Sequence, residues 1–310
     1  MKPTRTAAVA IALFTAALAT AGCGVGPGDE VGEISLTVTR DYGAERIVGP
    51  ERESVDESDT VMRVLDREAE ISTRFGGGFV SEIEGVAEAS RDGRRYDWFF
   101  YVDGVESSVG AADFELHGGE AIWWDYRDWV AASRVPAVVG SRPRPLLGGY
   151  GGKERPVALE CHATRIACEL TRRGLAGAGV SVADGSPEGA IRVLVGPWAR
   201  LRQDPTAAQL EAGPRASGVF AEFVSSGDGF RLRGLDEEGR ATLDFGPHAG
   251  LVAATSRFGG PPVWLVSGAT ARGALAAAGL LDTEHLRGRY AVATEGGRAT
   301  PLPLKSSPGK

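Results

Sequence analysis

Residues 96–129 read YDWFFYVDGVESSVGAADFELHGGEAIWWDYRDW and contain four of the six tryptophans of the chain. Aromatic and apolar residues fill both ends of this stretch, 96–102 and 121–127, and glycine turns follow the first end and precede the second. This pattern predicts two β-strands that pair with each other. Because alternate side chains of a strand point to opposite faces, Trp98 and Phe100 lie opposite Phe99 and Tyr101.

The residues before this stretch predict a strand and then a helix. EISLTVTR (33–40) alternates with a period of two, which is typical of a strand. A helix that Ser58 or Asp59 could cap is expected next, with apolar residues at spacings of three and four. Those residues are Val61, Val64, Leu65 and Ala69. A single helix packed on a small mixed sheet is an α+β arrangement of the β-grasp type.

Several spaced elements of this half resemble one known family. They are the helix at 60–69, FVSEIEGV (79–86), the W-x-x-Y-V-x-G pattern of 98–104, and Gly-Gly-Glu (118–120) before Ile-Trp-Trp (122–124). The half resembles the domain of unknown function DUF4430, which is grouped with the transcobalamin-like C-terminal domain. The resemblance implies a β-grasp fold. It also implies a corrinoid as one class of ligand, because the related transcobalamin domain helps to close over a corrinoid.

A helix covers only one face of a small sheet, so aromatic rings remain on the other face. Such rings stack on flat ligands, and polar groups nearby would orient the ligand. The residues of this hypothetical ligand site are Trp98, Phe99, Tyr101, Asp103, Trp123 and Tyr126. The alternative is that a second domain packs on the same face.

The N-terminus predicts export and lipidation. Lys2 and Arg5 precede an apolar segment at 7–21 that is too short to span a bilayer, and small residues then lead to Cys23. This order resembles a bacterial lipobox, in which the cysteine carries the lipid. We therefore expect a lipoprotein on the outer face of the bacterial cytoplasmic membrane, in the cell envelope.

Charge divides the mature chain into two parts. Residues 33–129 contain 23 acidic and 10 basic side chains, whereas residues 130–310 contain 16 acidic and 22 basic ones. A Gly-, Pro- and Arg-rich segment lies near the boundary. The predicted organisation is a signal peptide (1–22), a tether (23–32), a β-grasp domain (33–130), a linker (131–156), an α/β domain (157–299) and a disordered tail (300–310).

The second half alternates strand-like and helix-like segments, which favours an α/β domain. One helix is expected around Leu251. Cys161 and Cys168 could bridge only if Cys161 ends a strand and Cys168 lies on the next helix, because seven residues within one helix separate two Cα atoms by about 10 Å. We expect this disulfide, since export permits it.

The sequence offers little for catalysis or metal binding. Its four histidines and three cysteines lack the paired spacing of metal ligands, and no nucleophile motif occurs. No catalytic residue, metal site or resident cofactor is predicted. Nucleic acid is not an expected partner, because neither half has a stripe of basic and aromatic residues.

Three functions remain open. The first is a non-catalytic lipoprotein that binds a small molecule, with a corrinoid as one option, or that assists a membrane transporter. The second is an envelope scaffold whose acidic domain docks on a protein. The third is an enzyme with a cleft around Trp198, Ser267 and His248.

Overall fold

The computed structural model describes residues 28–227, 229–257 and 259–306. Within these ranges the chain is α+β, with many strands and few helices arranged around several sheets. No helix in the described ranges is both long and apolar enough to cross a membrane. The predicted signal peptide, Cys23 and residues 307–310 lie outside the described residues.

The first half, from residue 28 to residue 128, contains nine strands and one α-helix. The strands are β1 (Glu30–Arg40), β2 (Glu45–Asp56), β3 (Ile71–Arg74), β4 (Phe79–Ile83), β5 (Val86–Ala87), β6 (Ala89–Arg91), β7 (Arg94–Val102), β8 (Val105–Glu106) and β9 (Ala121–Asp128). The helix is α1 (Val61–Glu68), and a 3₁₀ turn (Phe75–Gly77) precedes β4.

The two strands predicted from the aromatic stretch, β7 and β9, pair antiparallel within the first sheet. Tyr101 lies opposite Trp123, and Phe100 lies opposite Trp124. The strand order is β2-β1-β9-β7-β6, and β8 pairs with the end of β7. Because β1 runs parallel to β9 and antiparallel to β2, the sheet is mixed.

Helix α1 forms where its apolar spacing predicts it, but its cap differs from the expectation. The hydroxyl of Thr60 accepts a hydrogen bond from the N–H of Arg63, so Thr60 is the N-cap. Asp59 instead forms an ion pair with Arg67 at 2.6 Å. The apolar side of α1 lies against one face of the first sheet, with Val61, Val64 and Leu65 fully buried.

The second half contains nine further strands and five short helices in the described residues. The strands are β10 (Val157–Cys161), β11 (Ile191–Pro197), β12 (Ala221–Ser226), β13 (Gly229–Leu235), β14 (Ala241–Asp244), β15 (Gly250–Thr255), β16 (Val263–Gly268), β17 (Ala291–Glu295) and β18 (Arg298–Leu302). The helices are α2 (Arg165–Gly177), α3 (Trp198–Leu201), α4 (Pro214–Ser217), α5 (Ala271–Ala278) and α6 (Thr283–Leu286), with a 3₁₀ turn at Ala207–Ala212.

A second six-stranded sheet organises this half in the order β10-β11-β16-β15-β17-β18. Its first three strands are parallel and the others are antiparallel, so it is also mixed. Helices α2 and α5 pack on one face, and the small sheet β12-β13-β14 contributes to the core on the other face. The helix expected around Leu251 is wrong: strand β15 occupies that position. Both of its faces are buried, so it reads as a continuous apolar run and lacks the alternation of a half-exposed strand.

Two further expectations at the edges of this half need correction. The tail does not become disordered at residue 300, because β18 pairs with β17 and the N–H of Leu304 bonds to the carbonyl of Leu235. The segment 131–156 is not a free linker either. Val139 and Leu146 are buried in the core of the second half, and Val135 and Val138 are buried between the halves.

Cys161 and Cys168 form a disulfide, with their Cα atoms 5.9 Å apart. Cys161 is the last residue of β10, and Cys168 lies in the first turn of α2. This is the arrangement that the spacing of the two cysteines required.

Reduction of this disulfide should lower the stability of the second half. Closing a loop of about eight residues stabilises a folded chain by roughly 2 kcal/mol, because it restricts the unfolded chain. Urea unfolding of the Cys161→Ser/Cys168→Ser variant should show a loss of that size. Dithiothreitol should reproduce the loss in the natural chain and change nothing in the variant; an equal response of both proteins would contradict the prediction.

Candidate functional site

The two faces of β7 and β9 pack against different parts of the chain. Ile122, Trp124 and Tyr126 belong to the core under α1, whereas Tyr101 and Trp123 belong to a core between the two halves of the chain. This division follows the alternation of side chains along β7 and β9. The second half therefore covers the face that bears Tyr101 and Trp123.

Tyr290 of the second half is the centre of that contact. Its ring packs edge-on against Tyr42, Tyr101 and Trp123, with ring centroids 5.0, 5.8 and 5.4 Å apart. Two glycines permit the close approach of the halves. A Cβ atom on Gly43 would lie 2.2 Å from the carbonyl oxygen of Gly288, and one on Gly140 would lie 2.7 Å from the ring carbon Cζ3 of Trp123. Neither position accepts a larger residue without movement of the halves.

A buried carboxylate lies at the same contact. Asp125 on β9 is fully buried, and its oxygens accept hydrogen bonds from the Thr39 hydroxyl (2.5 Å), the Gly43 N–H (3.0 Å) and the Tyr290 hydroxyl (2.9 Å). Burial raises the pKa of Asp125 to about 6, although these three donors act in the opposite direction. The carboxylate depends on both halves of the chain for its hydrogen bonds.

Arg127 is the second buried charge of this face. Its guanidinium lies 3.7 Å from the ring centre of Phe99 and donates to the carbonyl oxygen of Ala132 at 2.7 Å. The nearest carboxylate is that of Glu106, 3.8 Å away. Burial raises the pKa of Glu106. Arg134 also pairs with Glu106, at 3.0 Å. Arg127 is thus held largely by an aromatic face and backbone carbonyls.

A cavity of about 200 Å³ lies on the α1 side of the first sheet, at the free edge of β7. Strand β6 pairs with β7 as far as Tyr96, and β8 pairs with it from Tyr101. Among the described residues, no strand pairs with 97–100 on the side away from β9. The cavity lies beside this gap, between β7, the start of β4, helix α1 and the loop 107–111.

Five of the twelve described residues that line the cavity are aromatic. The rings are Phe79, Trp98, Phe99, Phe100 and Trp124. Glu106 and Ser107 supply its polar groups, and Gly78 and Gly110 border it. A shallow apolar site with few polar groups can bind a small organic molecule by stacking and desolvation.

The six predicted ligand residues do not form one surface. Trp98 and Phe99 line the cavity. Tyr101 and Trp123 are buried against the second half, so they are not open to a ligand in this structure. Tyr126 lies beneath α1, where its hydroxyl donates to the carbonyl of Ala87 at 2.8 Å.

Asp103, the sixth predicted residue, holds the turn between β7 and β8. Its carboxylate accepts a hydrogen bond from the N–H of Ala121 at 3.0 Å and lies 3.8 Å from Arg144. The side chain is almost fully buried, and burial raises its pKa to about 7. Its contacts fix the turn and the entry to β9, and it does not line the cavity.

Three aromatic residues of the cavity were absent from the predicted set: Phe79, Phe100 and Trp124. The sequence contains a signal for the first, because Phe75 and Phe79 enclose three glycines. Phe75 is 88% exposed and packs edge-on to Phe79. Phe100 and Trp124 lie on the face of the sheet that α1 covers, and they line the cavity as well.

The residues considered for an enzymatic cleft do not converge. Trp198 is fully buried and stacks on Phe223. Ser267 is also fully buried and donates to the carbonyl of Gly196, while His248 is exposed and contacts Thr270. Among the described residues, no group of three or more His, Cys, Asp or Glu side chains could hold a metal ion.

Comparison with known proteins places one family in this part of the chain. Residues 58–128 match a family described as a domain of unknown function (DUF4430), so a domain of that family occupies α1 through β9. Every residue that lines the cavity lies within it.

One solved structure similar to the chain is that of "a putative metal binding protein" from Ruminococcus gnavus ATCC 29149. Its sequence is 15% identical, the match covers 31% of this chain and 97% of that chain, and the TM-score is 0.24. No curated protein sequence matches the chain.

The buried Asp125 predicts a pH-dependent effect of Tyr290→Phe. Because the folded-state pKa of Asp125 lies above its usual 3.8, its contribution to stability is complete below about pH 4 and is lost as the pH rises through about 6. Removing the Tyr290 hydroxyl should cost about 2 kcal/mol at pH 7.5, where the carboxylate is ionised, and about 1 kcal/mol at pH 4.5. Urea unfolding at both pH values measures the difference.

Tyr42→Phe is the matched control, because the Tyr42 hydroxyl donates to the neutral carbonyl of Asp128 at 2.7 Å in the same contact. Its loss of stability should be the same at both pH values. An equal pH dependence of the two variants would contradict the role of Asp125.

Proposed function

We propose that this chain is an exported, lipid-anchored protein that binds a small organic ligand in the aromatic cavity of its first domain. The observation that carries the proposal is the cavity of about 200 Å³ beside a free strand edge, with five aromatic side chains among the residues that line it. Concave and mostly apolar sites with a few polar groups are typical binding sites for small molecules.

The first domain is proposed to be β-grasp-like. Helix α1 packs on a mixed sheet in which the first strand, β1, and the last strand, β9, are parallel neighbours. This arrangement supports the assignment, as does the match of residues 58–128 to the DUF4430 family. In this proposal the second half is a support that covers the opposite face of the sheet.

The size of the cavity favours a ligand with a single ring or a compact apolar group. A cavity of about 150 Å³ is enough for benzene, whereas drug-sized ligands occupy about 300–1,000 Å³. A corrinoid is far larger and would contact only the mouth of this cavity. We therefore propose a smaller ligand than the corrinoid that the family resemblance implies.

Export and lipidation are proposed from the N-terminal sequence, in which a short apolar segment leads to Cys23. The disulfide between Cys161 and Cys168 supports export, since such bonds persist in oxidising compartments. A ligand-binding protein tethered to the outer face of the cytoplasmic membrane could deliver its ligand to a transporter in the same membrane.

Ligand binding should change the fluorescence of Trp98 and Trp124, because both residues line the cavity. Titration with indole, benzyl alcohol and choline tests this in the natural chain. Gly110→Leu should abolish the change by filling the mouth. A Cβ atom at Gly110 would meet only Asp113 at 3.5 Å and Gly78 at 3.9 Å, so the fold should tolerate the substitution.

Gly177→Leu is the control, because a Cβ atom there has no neighbour within 4 Å and Gly177 lies in α2, outside the cavity. It should bind as the natural chain does. Two results would contradict the proposal: no response of the natural chain to any of the three probes, or unchanged binding by Gly110→Leu.

Lipidation is tested by Cys23→Ala in bacterial cells. The natural chain should incorporate labelled palmitate and sediment with membranes, and the variant should do neither, because the sulfur that carries the lipid is lost. The Cys161→Ser/Cys168→Ser variant controls for the loss of other thiols and should keep the label. Membrane association of Cys23→Ala at the natural level would refute this anchor.

A further inference from the structure

The described residues that line the aromatic cavity include an acidic side chain and no basic one. The ring faces of the cavity carry the negative part of an aromatic quadrupole. Glu106 is its one ionisable side chain, and no Lys, Arg or His from the described chain is among the lining residues. Arg127 and Arg134 lie behind the wall, where they contact Phe99 and Glu106, so the described surface that a ligand would touch has no cationic side chain.

Glu106 does not supply this preference alone, because its charge is already balanced. One carboxylate oxygen accepts from Arg134 at 3.0 Å, and the other accepts from the N–H of Val135 at 3.3 Å and lies 3.8 Å from Arg127. The rings are the groups of the wall that remain available to a charged ligand.

The protein already uses one of these rings to hold a cation. The guanidinium of Arg127 lies 3.7 Å from the ring centre of Phe99. Arg127 is fully buried and does not line the cavity, so it contacts Phe99 from the protein side. The same kind of contact is open to a ligand at Phe79 and Phe100, the partly exposed rings on the cavity side.

The charge of the surrounding domain acts in the same direction. Residues 33–129 contain 23 acidic and 10 basic side chains. A surplus of negative charge raises the local concentration of cations and lowers that of anions near the domain, by an amount that falls with ionic strength.

We propose that the cavity binds an organic ammonium ion, with a methylated ammonium group enclosed by the aromatic rings. This inference rests on the proposed function, because it assigns the charge of the ligand at the same site. Clusters of aromatic rings select such groups through cation–π attraction, since methyl groups spread the charge and lower the cost of removing water. A trimethylammonium group is compact enough for a cavity larger than one that holds benzene.

The experiment compares choline with 3,3-dimethylbutan-1-ol, in which a carbon atom replaces the charged nitrogen and the shape is kept. Isothermal titration calorimetry on the full chain should show choline binding at least about 5-fold more tightly than the alcohol, from the usual strength of cation–π contacts. Tetramethylammonium should compete with choline. Indole is included as a neutral aromatic probe.

Two variants of the same hairpin locate the effect. Phe79 lines the cavity, whereas Phe75 is 88% exposed and does not. Phe79→Leu keeps apolar volume and removes the ring, so it should weaken choline binding about 3- to 10-fold and leave the alcohol nearly unchanged. Phe75→Leu should bind choline as the natural chain does, and urea unfolding should confirm that both variants are folded.

Equal or weaker binding of choline than of its neutral analogue would overturn the assignment of a cation. If indole or the alcohol still bound in that case, the proposed ligand-binding function would stand with a neutral ligand. Absence of binding by all four compounds would overturn both proposals. Choline binding that persists unchanged in both Phe79→Leu and Gly110→Leu would also overturn both.

Discussion

The hydrogen bond from the Tyr290 hydroxyl to the buried carboxylate of Asp125, 2.9 Å long, joins the two halves of this chain. A fully buried carboxylate destabilises the fold unless donors surround it. Thr39 and Gly43 supply two donors from the first half, and Tyr290 completes the set from the second. The halves must therefore meet in one relative position, with the ring of Tyr290 against Trp123.

This relative position of the halves decides which side of the first sheet can bind a ligand. Because the second half covers Tyr101 and Trp123, the rings on that face serve as an interface. The rings that line the cavity lie at the free edge of β7, where β6 and β8 leave residues 97–100 without a partner strand on the side away from β9. The cavity and the interface thus lie on the two sides of the same strand, and Arg127 behind Phe99 lies between them.

Much of the secondary structure could be predicted from local patterns, and the failures have identifiable causes. The aromatic and apolar content of β7 and β9, the apolar spacing of α1 and the position of the two cysteines all led to the correct elements. Strand β2 was missed because ERIVGPERESVD is mostly polar and lies at an edge of the sheet. The helix expected around Leu251 was wrong because burial on both faces removes the alternation by which a strand is recognised.

The candidate site was predictable only in part. The sequence by itself determined that aromatic side chains lie on both faces of two paired strands, since the direction of alternate side chains follows from local backbone geometry. Only the tertiary structure decided which rings are covered and which line a cavity. That outcome depends on contacts such as the one between Asp125 and Tyr290, which are 165 residues apart, and on where α1, β6 and β8 end. No local pattern carries such information, because a side chain is buried by whatever the rest of the chain places against it.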